Sequence, residues 1–167
     1  MFDDAIRDKA RAVLDACRDA RLMLVVAESC TGGLVAGALT EIPGSSDVVE
    51  RGFVTYSYQS KSEMLGVPAE TIAAHGAVSE AVARAMAEGA LARAPPRAQI
   101  SIAVTGVAGP GSDSQAKPAG LVHLAAAQAA KGVIHEKREF GDIGRDAVRR
   151  ASVAAALDLV LRRITEG

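Results

Sequence analysis

The segment Glu28-Ser29-Cys30-Thr31-Gly32-Gly33 places a hydroxyl and a thiol side by side, after a short apolar run and ahead of two glycines. Both are nucleophile types. A serine attacks a carbonyl only when a nearby base takes its proton, and a cysteine only as its thiolate. Adjacent residues point different ways, so one of Ser29 and Cys30 faces any shared site. A helix predicted just after them would present unbonded N–H groups able to hold an oxyanion or a phosphate. Gly32 and Gly33 would let a ligand approach the backbone. The plainer alternative is that Ser29 or Thr31 only caps that helix and the glycines shape the turn.

Three histidines and one lysine compete as the base. His75 precedes a glycine and reads as a turn residue, while His123 and His135 fall in strand-like segments. Lys61 follows a strand-like stretch and stands with the loops. Burial lowers a lysine's pKa because desolvation disfavours the charged form, and serine–lysine pairs exploit this. Its alternative is an ordinary exposed helix lysine. Tyr56 is a possible hydrogen-bond donor to a substrate or to the pair, or a packing residue of a strand. Thr105, Gly106 and Gly109, in a Gly- and Ser-rich loop, could line a phosphate or ribose pocket, and Arg145 could hold a phosphate in bidentate fashion. Cys17 lies on an apolar helix stripe and reads as a core thiol.

Several classes are disfavoured. No Walker A or dinucleotide fingerprint is present, and no His, Cys or carboxylate cluster suggests a metal, so no metal or cofactor is expected. The formal net charge of −1 from 19 basic and 20 acidic residues argues against a nucleic-acid partner. The arginines 145, 149, 150, 162 and 163 read as the solvated face of one helix. The N-terminus lacks a signal-peptide core, and no apolar stretch suits a bilayer, so the expectation is a cytoplasmic protein with no membrane partner.

The elements that must position these residues follow from periodicity. The pattern predicts a helix over 3–20, a buried strand over 22–27 and a helix over 34–39. A strand over 52–58 precedes a short helix carrying Lys61. A further helix opens at Ser79 as N-cap and ends near Pro95-Pro96, followed by a strand over 100–104 and a loop over 105–119. Segments 120–128 and 133–140 read as a hairpin whose polar second strand lies at an edge, and a helix over 143–165 closes the chain. This alternation predicts an α/β fold: a three-layer α/β/α sandwich with a mostly parallel, mixed sheet and one antiparallel hairpin, forming a single domain over residues 1–167. Loops 28–33, 57–61 and 105–119 then converge at the C-terminal ends of the strands, where such sheets bind ligands. Hydrophobic residues make up 49% of the chain and aromatics only 3%. Ala, Val and Leu must therefore fill the core, and a homo-oligomer, with a dimer favoured, is expected to add buried area.

Taken in order, Ala27-Glu28-Ser29-Cys30-Thr31-Gly32-Gly33, Gly52-Phe53-Val54-Thr55-Tyr56-Ser57 with Lys61, Gly76-Ala77-Val78-Ser79-Glu80, Ala103-Val104-Thr105-Gly106-Val107-Ala108-Gly109-Pro110 and Pro118-Ala119-Gly120 resemble the CinA C-terminal domain family. The resemblance runs from about residue 5 to the end. It implies deamidation of nicotinamide mononucleotide to nicotinate mononucleotide and ammonia, with Ser29 as nucleophile, Lys61 as its base, and Tyr56 and Thr105 on site segments. One departure stands out. Where the family often carries Gly-Pro-Asp-Gly-Gly, this chain reads Gly109-Pro110-Gly111-Ser112-Asp113-Ser114, so the acidic residue is displaced and contacts to ribose or phosphate are expected to differ. Larger relatives also carry an N-terminal domain with a nucleotide pyrophosphatase role, and that activity is not expected here. Two other readings remain open at the level of sequence: a non-catalytic nucleotide-binding module, and an amidase for another small amide.

Overall fold

Ile6, Ala10, Val13, Leu14 and Cys17 recur at helical spacing and lie on one buried face of α1 (Asp4–Ala20), capped by the Asp3 carboxylate. The computed structural model describes residues 1–166. After α1 come β1 (Leu24–Glu28), α2 (Leu34–Thr40), β2 (Val49–Val54), α3 (Tyr58–Leu65), α4 (Ala69–His75) and α5 (Glu80–Ala92). Then follow β3 (Ile100–Gly106), β4 (Leu121–Gln128), β5 (Gly132–Glu139) and α6 (Arg145–Thr165).

The strands form one mixed sheet in the order β2-β1-β3-β4-β5. β1 runs parallel to both β2 and β3, and the β4–β5 hairpin is antiparallel. The expected three-layer arrangement is therefore present, with the polar strand β5 at an edge. Side chains alternate across the sheet as the pleat requires. Leu24, Val26, Ile100, Ile102, Val104, Val122 and Leu124 face α1, α2 and α6. Val25, Ala27, Ala103, Ala125 and Ala127 face α5 and its neighbours. That second face is made mostly of alanine, so α5 lies close enough for the buried Ser101 hydroxyl to donate to the Ala87 carbonyl at 2.7 Å. Among the described residues, no helix is long and apolar enough to cross a membrane.

Two strands and one helix differ from the expected pattern, each for a local reason. β1 begins at Leu24 because Arg21 adopts a left-handed conformation and the Leu22 N–H closes back on the Cys17 carbonyl, ending α1 with a tight cap. β2 covers Val49–Val54 rather than 52–58, because the Ser57 side chain caps α3 and turns the chain out of the sheet. Tyr56 is thus not a packed strand residue: it is 61% exposed. Helix α4 was not expected. It has seven residues and buries only Ile72, too little for an apolar period to register.

Candidate active site

β1 ends in Glu28, and the next residue, Ser29, sits where the chain leaves the sheet. β2 stands beside β1, and the chain beyond it turns through Thr55 and Tyr56 into α3, which carries Lys61 one turn past its Ser57 cap. Two neighbouring strand ends therefore bring residues 32 positions apart into contact. Lys61 Nζ lies 2.9 Å from Ser29 Oγ, 2.7 Å from the Thr55 carbonyl oxygen and 3.3 Å from that of Tyr56. The lysine is 1% exposed and the serine 8%. Burial lowers the Lys61 pKa from 10.5 to about 8, a shift the neighbouring Cys30 opposes only in part.

The arrangement selects a direction for proton transfer. A neutral amine has two N–H bonds and one lone pair. With the two carbonyls each accepting one N–H, the lone pair is left toward Ser29 Oγ, as a general base requires. At pH 7 a group with this pKa is neutral in about one molecule in ten, against roughly one in 3,000 for an ordinary lysine.

Cys30 does not compete. It is buried, and burial, reinforced by the Glu28 carboxylate, pushes its thiol up to about 12. It is therefore a thiol at neutral pH, not a nucleophilic thiolate.

The expected role of the following helix is corrected by Glu28. Residues 29–33 form a turn, and α2 begins only at Leu34, with Gly33 at its N-cap in a left-handed conformation (φ 99°). The buried Glu28 carboxylate accepts from the N–H groups of Gly33, Val35 and Ala36 at 2.9–3.1 Å. The start of α2 is thus already neutralised and cannot hold an oxyanion. Neither Ser29 nor Thr31 caps the helix. Within the turn, Ser29 N–H donates to the Val104 carbonyl and Gly32 N–H to that of Ser29. Cys30 and Thr31 keep their amides out of these bonds, and Cys30 directly follows Ser29, the position at which hydrolases with a nucleophilic serine commonly place an oxyanion donor.

A cavity of about 280 Å³ opens above the pair. Ser29, Cys30, Tyr56, Lys61, Thr105, Gly106, Gly109 and Arg145 all lie on its wall, so all three expected loops contribute. Thr31, Gly32 and Gly33 are not on it. The Thr105 hydroxyl donates to the Ala77 carbonyl at 2.8 Å, tying β3 to the 76–79 segment. Arg145 donates to the Gly109 carbonyl at 2.7 Å and to the Tyr56 hydroxyl at 3.0 Å, which holds a cation at the rim. The displaced Asp113 also lines the cavity, but one of its carboxylate oxygens accepts from the Gln115 and Lys117 N–H groups and shapes its own loop.

Sequence reasoning missed Tyr58, Ala77 and Val78 on the wall, and missed Glu28 and Arg149 behind the turn. Glu28 was visible as a carboxylate inside a buried strand end, an unusual place for a charge. Of the histidines, His75 ends α4, and His123 Nδ1 and His135 Nε2 meet each other at 2.9 Å across the hairpin. None is on the cavity wall. Among the described residues, no group of three His, Cys, Asp or Glu side chains is placed to hold a metal ion.

Known proteins resemble the chain along its length. The family model for the CinA C-terminal domain matches residues 6–164. The nicotinamide-nucleotide amidohydrolase PncC of Escherichia coli K12 is 43% identical over 167 residues, covering 99% of each chain. A CinA-like protein of Synechococcus sp. RCC307 is 48% identical over 159 residues. The match covers 95% of this chain but only 37% of that relative, so the chain spans little more than a third of some relatives and the whole of others. The crystal structure of the competence/damage inducible protein CihA from Agrobacterium tumefaciens superposes with a TM-score of 0.93 at 50% identity, covering 98% of both chains.

Proposed function

The chain belongs to the CinA C-terminal domain family, and from that membership and the geometry above we propose that it is an amidohydrolase deamidating nicotinamide mononucleotide to nicotinate mononucleotide and ammonia, a salvage step for pyridine nucleotides. The observation that carries this reading is the 2.9 Å approach of a buried lysine amine to Ser29 Oγ on a cavity wall. The name of the full-length Escherichia coli relative supplies the substrate class.

Neutral Lys61 takes the Ser29 proton as Oγ attacks the carboxamide carbon. The Cys30 N–H stabilises the developing oxyanion, a type of contact worth about 3 kcal/mol. Collapse of the tetrahedral adduct breaks the C–N bond, and Lys61 returns the proton to the departing ammonia. A nicotinoyl ester remains on Ser29. Water then attacks the ester with Lys61 again as base, releasing the acid and restoring the serine. Arg145 at the rim, with N–H groups beyond those used on Gly109 and Tyr56, is suited to the phosphate. The enzyme works in the cytoplasm as a homo-oligomer, a dimer being favoured by the exposed Val54, Tyr56, Tyr58 and Met64.

Ammonia release from nicotinamide mononucleotide, wild type beside Ser29→Ala, tests this reading. Release that disappears in the variant while binding persists is the expected result. Tight binding without release by the wild type would instead favour a nucleotide-binding module, and release only from other amides would move the substrate assignment.

A further inference from the structure

We propose that Arg149 is a positioning residue for the nucleophile: it holds the peptides after Ser29 and thereby keeps Ser29 Oγ against Lys61 Nζ. This rests on the reading of Ser29 as nucleophile. Residues 29–33 belong to no helix or strand, so the place of Ser29 depends on what bonds the turn makes. Its amides are fixed from one side, where the Glu28 carboxylate takes the Gly33 N–H and Ser29 donates to Val104. Its carbonyls are fixed from the other. Arg149 Nε donates to the Cys30 carbonyl at 3.1 Å, and Nη2 to that of Thr31 at 3.3 Å. Among the described residues, the Cys30 carbonyl has no other donor.

Peptide planarity carries this grip to the next amide of the turn. In a trans peptide the C=O and N–H point in opposite directions within one plane. Pinning the Cys30 carbonyl therefore fixes the Thr31 N–H, and the Ser29 carbonyl held by Gly32 fixes the Cys30 N–H in the same way. Gly32 is shaped to admit the guanidinium. It has φ 57°, and a Cβ there would stand 3.3 Å from Arg149 Nη2. Arg145, one turn earlier on α6, lines the cavity, whereas Arg149 is not on its wall. Arg149 is thus placed to affect the rate of attack rather than the affinity for substrate. A lysine has no fork with which to reach both carbonyls.

The test is the rate at which phenylmethylsulfonyl fluoride labels Ser29, followed by mass spectrometry, beside kcat and KM on nicotinamide mononucleotide. In labelling, Ser29 Oγ bonds to sulfur, fluoride leaves and Lys61 takes the proton. Arg149→Ala is expected to slow both labelling and kcat by about 10-fold or more, since small misplacements of a nucleophile carry large rate losses. KM should stay within about twofold, the pH at which labelling rises should not move, and Arg149→Lys should recover only part of the loss. Labelling of folded Arg149→Ala at the wild-type rate, or a raised KM with unchanged kcat, would overturn the proposal. Should Arg149→Ala not fold, Arg149→Gln, which keeps one donor nitrogen but loses the charge and the fork, carries the same comparison. Wild-type protein that labels but does not deamidate would overturn the substrate reading alone, whereas wild-type protein whose Ser29 does not label would remove the nucleophile and this proposal with it.

Discussion

Lys61 and His123 both have pKa values lowered by desolvation, and only Lys61 faces a hydroxyl on a cavity wall. Lys61 is brought down to about 8 by desolvation. His123 is brought down to about 4, by desolvation and then by the neighbouring His135. The lysine lies 2.9 Å from a serine hydroxyl on an open cavity. The histidine lies 2.9 Å from another histidine, packed across a hairpin, with Glu80, Arg84, Lys117, Lys137 and Glu136 as the charged groups around the pair. Desolvation alone therefore does not make a site. A buried base becomes catalytic when its free lone pair meets a group whose proton the chemistry must remove, within reach of substrate.

The largest effects should come from the Lys61 region. Ser29→Ala is expected to lower kcat by about 10⁴-fold or more, and Lys61→Arg by about 10³-fold, because a guanidinium keeps its proton. Steady-state ammonia release checks both, and an active Lys61→Arg would put Lys61 on the same footing as His123. Stability sharpens the point. Between about pH 8 and 10.5 the native state binds fewer protons at Lys61 than the unfolded chain does. Wild-type stability relative to Lys61→Met should thus rise with pH through that window, by about 3 kcal/mol in total, and the whole penalty should be present below pH 8. Urea denaturation of the two proteins at several pH values reads this directly.

Smaller effects follow outward. Arg145→Ala should raise KM for the nucleotide by about 10-fold, in line with loss of a charge-assisted contact at the rim. His123→Gln should leave kcat within about twofold and leave its pH dependence unchanged. Its effect should appear in acid stability. Because His123 titrates lower in the folded state than in the unfolded chain, wild type loses stability as pH falls from 6.5 toward 4, and the variant should lose less. A changed kcat profile in His123→Gln would tie the hairpin to catalysis and erase the contrast between the two bases.

Much of this was legible in the sequence, because strands buried on both faces read as apolar runs and the loops after them gather polar types. The apolar runs over 22–27 and 100–104 located strands observed at Leu24–Glu28 and Ile100–Gly106, and the Ser29 and Lys61 candidates came from the loops beyond the strands. The exclusion of Cys30 was not legible, since its thiol is silenced by burial and by Glu28, both products of packing. Nor was the work of Glu28 itself. A carboxylate six positions before the first residue of a helix is not an N-cap by spacing, and it reaches the first amides of α2 only because the 29–33 turn doubles back. Arg149 read as one solvated arginine among five, and only the packing of α6 against the turn distinguishes it.

The most direct measurement is the pH dependence of kcat/KM for ammonia release by the wild type between pH 6 and 10. A neutral-lysine base predicts a tenfold rise per pH unit that levels off near pH 8, the value to which burial brings Lys61. A flat profile across this range, or a rise that levels off near 6.5 as an ordinary histidine would give, would contradict the serine–lysine account.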